Sequence, residues 1–431
     1  MNRRSFLKRT SGAAIGALGI PYIVASSALG GGAAVAASER ITVGCIGVGS
    51  HGTGMNLRSY LAQADARVVA VCDVDARHME RGREMVNEKY GNNDCATYRD
   101  WREVIARNDI DAVMISTPDH WHVPMSVAAI KAGKDVQCEK PTLTIHEGRV
   151  LSDTVKRYGA VFQTSTEDRA IGLYHRMAEL VRNGRIGKLH TIRVELPAGY
   201  SVHDHYYGLT GPKVPDWFDY DMWLGPAPEA PYHPGRCHWN FRWLLDYSGG
   251  MLTDWGTHLL DTAQWGNDTE RTGPVEIVGQ GDFGRDKLYN TAKTYHIEYT
   301  YATGVKLIVD SGTPSIRFEG TKGWVGNRGW RGPLQADPPA LLEEQIGPDE
   351  IHLFTCPAGE HRNFLDCVKS RQEPYFPAEI GHRCSTLCHL GNIAMLTGRK
   401  LRWNPDTEEF RDDDEANRMR SRAMRSPWHL L

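Results

Sequence analysis

Residues 41–52 read Ile-Thr-Val-Gly-Cys-Ile-Gly-Val-Gly-Ser-His-Gly. The first six are mostly β-branched or small and apolar, which suits a strand buried on both faces. Gly47-Val48-Gly49-Ser50-His51-Gly52 then makes a G-x-G-x-x-G turn that opens a helix. Strand, glycine turn and helix in that order place backbone N–H groups and a helix N-terminus where a pyrophosphate can sit. Gly47, Gly49, Ser50, His51 and Gly52 are therefore expected to line a dinucleotide site. Asp73 closes the next apolar run, Val68–Cys72, 21 residues beyond Gly52. A carboxylate there holds the adenosine ribose hydroxyls and repels a 2′-phosphate, so NAD is expected rather than NADP.

Outward from this stretch, apolar runs at Ala112–Ser116, Asp135–Cys138 and Val161–Gln163 alternate with helical segments such as Val123–Ala132, which stops at Gly133. That alternation predicts an α/β unit, a doubly wound parallel sheet of Rossmann type, over residues 38–162. Beyond it a helix is expected over Tyr174–Asn183, followed by strands of period two: Thr191–Leu196, Tyr295–Tyr301 and Val305–Val309. Ala302-Thr303-Gly304 and Gly320-Thr321-Lys322-Gly323 read as hairpin turns. Residues 163–431 are thus predicted to be an α+β domain for substrate and oligomerisation, with a large, mostly antiparallel sheet. A Pro/Trp/Tyr-rich insertion near 200–245 reads as loop.

The chain opens Asn2-Arg3-Arg4-Ser5-Phe6-Leu7-Lys8, a twin-arginine leader, followed by a Gly/Ala-rich run with a small-x-small pattern at Ala34-Val35-Ala36. Residues 1–37 are read as an address for the twin-arginine machinery and the periplasm, not as a stable membrane anchor. Removing the leader's four basic residues takes the formal net charge from −3 to −7, which excludes nucleic acid as a natural partner. The nine cysteines contain no C-x-x-C pair. Cys384 and Cys388, one helical turn apart, are read as structural thiols, and no metal site is expected. A cofactor enzyme exported away from its cofactor pool must carry the cofactor with it.

Three further stretches carry chemistry. Ser116-Thr117-Pro118-Asp119-His120-Trp121-His122 follows the third long strand, and strand ends of this kind line the ligand crevice. Thr117, Pro118 and His122 are expected at the cofactor, the alternative for His120 and His122 being to cap the next helix. Glu139-Lys140-Pro141 closes another strand, with Glu139 and Lys140 at the cofactor and Lys140 able to bias proton loss from a substrate hydroxyl. In Ser248-Gly249-Gly250-Met251-Leu252-Thr253-Asp254-Trp255-Gly256-Thr257-His258, Asp254 and His258 stand four apart, on one face of a predicted helix. His258 can take a hydroxyl proton and Asp254 can tune its neighbours, with Asp261 one turn further on.

These motifs resemble the Gfo/Idh/MocA family over essentially the whole mature chain. Its glycine fingerprint falls on Gly47, Gly49 and Gly52, its E-K-P on Glu139-Lys140-Pro141, and its D-x-x-x-H on Asp254 and His258. The resemblance implies an NAD-dependent oxidoreductase of a sugar or cyclic polyol. Lys140, Asp254 and His258 would be catalytic, and Arg169, Trp255 and His258 would contact substrate. Homo-oligomeric assembly is expected. Thr164-Ser165-Thr166-Glu167-Asp168-Arg169 replaces the Gly/Gln-rich version common in the exported branch. The leader and the Thr117–His122 stretch are also similar to the NAD-dependent N-acetylgalactosaminidase group, whose redox-neutral glycoside cleavage is the alternative. A non-catalytic exported NAD- or sugar-binding protein is the third reading.

Overall fold

The computed structural model describes residues 35–200, 211–284 and 288–430, so most of the leader lies outside the described residues. The first sheet has six strands: β1 (Ile41–Ile46), β2 (Ala66–Cys72), β3 (Ala96–Tyr98), β4 (Ala112–Ile115), β5 (Asp135–Glu139) and β6 (Phe162–Ser165). All pairs are parallel, in the order β3-β2-β1-β4-β5-β6. This is the doubly wound order whose reversal between β1 and β4 opens a crevice at the strands' carboxyl ends. β3 escapes periodicity reading because it is three residues long and only partly buried. The run expected to end at Gln163 extends to Ser165.

Local chemistry stops and starts the connecting helices. Asp75 caps Ala76–Tyr90 by accepting the Arg77 N–H, and Gly91 ends it in the left-handed region at φ 64°. Thr144 caps Ile145–Tyr158, which Gly159 ends at φ 60°. The helix after the fourth strand starts at Asp119, four residues earlier than its apolar pattern, because Pro118 is extended and sets its first turn.

The second sheet has nine strands: β7 (Leu189–Leu196), β8 (Glu276–Asp282), β9 (Thr294–Thr300), β10 (Lys306–Ser311), β11 (Ser315–Gly320), β12 (Gly323–Arg328), β13 (Leu334–Asp337), β14 (Leu401–Asn404) and β15 (Glu409–Phe410). Their order is β13-β12-β11-β7-β10-β9-β8-β14-β15. It is mixed but mostly antiparallel, since β7 pairs parallel with β10. Alternation decides which face is covered. Ile192, Val194, Tyr295, Ile297, Leu307, Val309, Ile316 and Phe318 are buried under the helices Gly172–Arg182, Gly256–Gly266 and Ala378–Thr397. Each such side chain contributes roughly 1.5–3 kcal/mol of burial. Gly266 is needed there, because a Cβ would stand 2.6 Å from the Phe318 ring.

The insertion is more than a loop. Residues 201–210 lie outside the described residues, but beyond them Tyr220–Leu224 is a helix and His238–Trp243 a tight helical turn. Phe218, Tyr220, Trp223, Phe241, Trp243 and Tyr247 form their own buried aromatic cluster. Its driving force is ring packing without a helix or strand period, so periodicity could not show it. All nine cysteines are buried and free, Cys384 and Cys388 among them. Among the described residues no helix is long and apolar enough to cross a membrane.

Candidate active site

The glycine turn is built by close approach. Gly47 has φ 82°, and a Cβ there would stand 2.6 Å from the Ser116 carbonyl oxygen. A Cβ on Gly52 would stand 2.1 Å from the Gly47 oxygen. Gly49 instead meets only the His78 ring, at 3.6 Å, so its face is left for a ligand. The helix that follows opens with wide turns over Gly52–Leu57 before Arg58–Ala62.

Asp73 accepts the Val48 N–H on Oδ2 and the Asp75 N–H on Oδ1, each at 2.9 Å. Burial pushes its carboxyl up to about 7 against those two amides. Thr117 Oγ1 is buried with no partner, as a hydroxyl awaiting a ligand would be. These groups border one cleft of about 1220 Å³ of open space, which also takes in Ser50, His51, Pro118, Glu139, Lys140 and Asp254. The residues present therefore fit NAD.

Lys140 is fixed at the end of β5. Its Nζ donates to Asp254 Oδ1 at 2.8 Å and to the Asp254 carbonyl at 2.6 Å. Arg242 Nε donates to the other carboxylate oxygen at 2.9 Å. Burial works against both charges, yet Asp254 and Glu139 hold Lys140 above its ordinary value, and the two cations hold Asp254 well below the carboxylate range. Glu139 sits at about 2, where burial is outweighed by the hydrogen bond from His51 and by Lys140, with Asn56 Nδ2 donating as well. Arg242 comes from the insertion, so reading that segment as loop concealed it.

His258 occupies a different setting. Asp254 ends one short helix, Met251–Asp254, and His258 begins the turns of the next, Gly256–Gly266. The break at Trp255 means the pair does not share one continuous helix, and the carboxylate serves Lys140. His258 Nδ1 lies 2.9 Å from Thr166 Oγ1 and 3.8 Å from Asp168 Oδ2. Burial and the Lys140 charge push its imidazole down to about 4, so it is neutral near pH 7. Asp168 is fully buried, and burial together with the neighbouring Glu167 pushes its carboxyl up to about 8. Trp330, which the sequence reading passed over, lies 4.9 Å from the Trp255 ring and 5.9 Å from His258. Neither His258 nor Trp255 is among the residues that border the cofactor cleft.

Two residues expected at ligands meet protein partners in the structure. Arg169 is 5% exposed, clamped by both oxygens of Asp261 at 2.7 Å, and further paired with Glu270. Asp261 is likewise consumed by that buried pair. His122 borders the cleft, but Nδ1 lies 2.8 Å from the Pro141 oxygen and Nε2 2.8 Å from the Thr117 oxygen. It braces two strand ends and has no polar atom left for a cofactor. His120 is also structural, its Nε2 lying 2.8 Å from the Trp223 carbonyl.

The fold and site define a nicotinamide-dependent oxidoreductase. The chain belongs to the Gfo/Idh/MocA oxidoreductase family: the NAD-binding Rossmann domain of that family matches residues 41–166 and its C-terminal alpha/beta domain residues 173–430. A glycosyl hydrolase family 109 protein from Saccharopolyspora erythraea is 36% identical over 131 residues, a stretch spanning 29% of this chain and 28% of that relative. Among solved structures, the WlbA dehydrogenase from Bordetella pertussis, in complex with NADH and UDP-GlcNAcA, aligns with TM-score 0.63 at 15% identity, over 85% of this chain and 99% of that one. The aldose-aldose oxidoreductase from Caulobacter crescentus, complexed with glycerol, aligns with TM-score 0.61 at 18% identity, over 84% and 99%. At such identities these structures establish the shared fold.

Proposed function

We propose that the enzyme moves a hydride between a carbinol carbon of a sugar or cyclic polyol and a nicotinamide that it keeps bound. The observation that carries this reading is the Lys140 ammonium, fixed by Asp254 at the edge of the cofactor cleft. NAD, when bound by the glycine turn, Asp73 and Thr117, supplies the hydride acceptor. A charged Lys140 donates to the substrate oxygen and stabilises negative charge developing there. Neutral His258 accepts the hydroxyl proton, and the imidazolium so formed lies beside Asp168. Trp255 and Trp330 offer aromatic faces to the C–H side of a ring.

Redox-neutral glycoside cleavage is the second reading, favoured by the relative named for glycosyl hydrolase family 109. Oxidising a ring hydroxyl acidifies the neighbouring carbon, a leaving group beyond it is expelled, and returning the hydride restores the starting oxidation level. Export through the twin-arginine route to the periplasm fits either course, because folded export carries a loaded cofactor along. Mass spectrometry of cofactor-loaded protein incubated with a panel of glycosides and free sugars tests both. A keto-sugar supports oxidation, and a released aglycone with an unoxidised sugar supports cleavage. No product from any member overturns an enzyme of this substrate class.

A further inference from the structure

Beside the cofactor cleft, which His78 and His238 border, Asp75, His78 and His238 converge without a role in hydride transfer. Their ligand-type atoms all lie within 4.8 Å of one another. Asp75 Oδ2 is 3.8 Å from His78 Nε2 and 3.9 Å from His238 Nε2. Donors around a tetrahedral zinc ion with bond lengths of about 2.0–2.1 Å stand about 3.3 Å apart, so the two Asp75 pairs need to close by about half an ångström and the two histidines by at most about 1.5 Å. Two imidazoles and a carboxylate, with one position left open, are the donor types that zinc-like ions select.

Two further features fit a metal. His78 turns its other nitrogen, Nδ1, toward Asp73 Oδ2 at 3.8 Å, and a carboxylate behind a ligating histidine is the usual orienting partner. His238 holds a left-handed backbone at φ 53°, a conformation few non-glycine residues keep without a reason. One group competes. Arg77 pairs with both Asp75 oxygens at 3.1 and 2.9 Å. Its guanidinium also stacks 3.2 Å over the Trp217 ring and its side chain is 57% exposed, so it has a resting place once displaced.

We propose that Asp75, His78 and His238 form a binding site for a zinc-type divalent cation. Asp75 and His78 belong to the dinucleotide unit and His238 to the aromatic insertion, so the ion ties the insertion across the cofactor cleft beside Gly49. The site stands whether the enzyme oxidises or cleaves its substrate. No sequence motif announces it, because His238 lies 160 residues from His78.

The test is equilibrium dialysis of the chelator-stripped, full-length protein against Zn²⁺, with the absorption spectrum of the Co²⁺-loaded protein alongside. One Zn²⁺ per chain is expected, with Co²⁺ bands of nitrogen and oxygen ligation. His238→Asn keeps a side chain that tolerates the left-handed backbone and should weaken binding at least about 100-fold, beyond the effect of an orienting partner alone. Arg77→Ala should tighten binding about two- to fivefold, the worth of a half-exposed ion pair. No Zn²⁺ uptake, uptake that His238→Asn leaves unchanged, weaker binding in Arg77→Ala, or a thiolate-to-cobalt charge-transfer band overturns the site.

Discussion

Two clusters of ionisable side chains, one around Lys140 and one around His258, are built on opposite rules. Around Lys140 every charge is answered: Asp254 binds Lys140 and Arg242, while Glu139 binds His51 and Asn56. Beside His258, by contrast, burial itself sets the protonation: it raises the Asp168 carboxyl to about 8 and pushes the imidazole down to about 4, so both are neutral near pH 7. A paired cluster is a scaffold whose protonation is fixed before substrate arrives. A neutral one holds its proton capacity in reserve, at a cost in folding free energy. The proposed roles follow this difference, with Lys140 as the fixed electrostatic donor and His258 as the group that takes up a proton.

Removing the fixed donor gives the largest expected effect. Lys140→Met should lower kcat/KM by about 10² to 10⁴ while the protein stays folded, because Asp254 keeps Arg242. His258→Ala should lose activity on the same scale. Steady-state rates, read together with the NAD released on denaturation, check both; a full rate in either variant removes that residue from the chemistry. The Arg169–Asp261 pair supplies the structural contrast. Arg169→Met leaves a buried carboxylate unanswered and should cost about 3–5 kcal/mol in denaturant unfolding, with the substrate KM unchanged. A raised KM without lost stability would return Arg169 to the substrate.

The clusters also differ in their expected pH response. As a base His258 must be neutral, so kcat/KM should stay level as pH falls and drop only near its depressed value of about 4. A drop near 6.5 instead would mean that burial and Lys140 do not act on it as described. The smallest effect is expected at Trp330, whose ring packs on Trp255 and His258. Trp330→Ala should raise KM roughly three- to tenfold, the worth of about one aromatic contact. An unchanged KM would remove Trp330 from the substrate wall.

The same contrast separates what the sequence could reveal from what it could not. Gly47, Gly52, Asp73 and Lys140 sit at strand ends, where a local pattern of apolar run and turn is enough to place them. The parallel sheet and the mostly antiparallel one follow from periods of two and of continuous burial. Arg242, Asp168 and Trp330 were missed because their positions depend on contacts distant in sequence. Arg242 comes from an insertion held by aromatic packing. Asp168 looks like any loop acid until its burial is known. For the same reason sequence offers Arg169, beside it, as a substrate contact without showing that Asp261 and Glu270 reach it. The spacing of Asp254 and His258 was legible, but the break at Trp255 that gives them separate partners was not.

The central claim, a hydride exchanged with a cofactor that stays on the enzyme, is tested most directly by isotope. Protein purified without added NAD is incubated with substrate deuterated at the carbinol carbon that is oxidised. Deuterium should reappear in the sugar product, no NADH should accumulate in solution, and denaturation should release NAD(H) in excess over NADP(H). A stoichiometric requirement for added NAD, with deuterated NADH building up in the medium, would contradict the account and make this a conventional dehydrogenase that exchanges its cofactor every turnover.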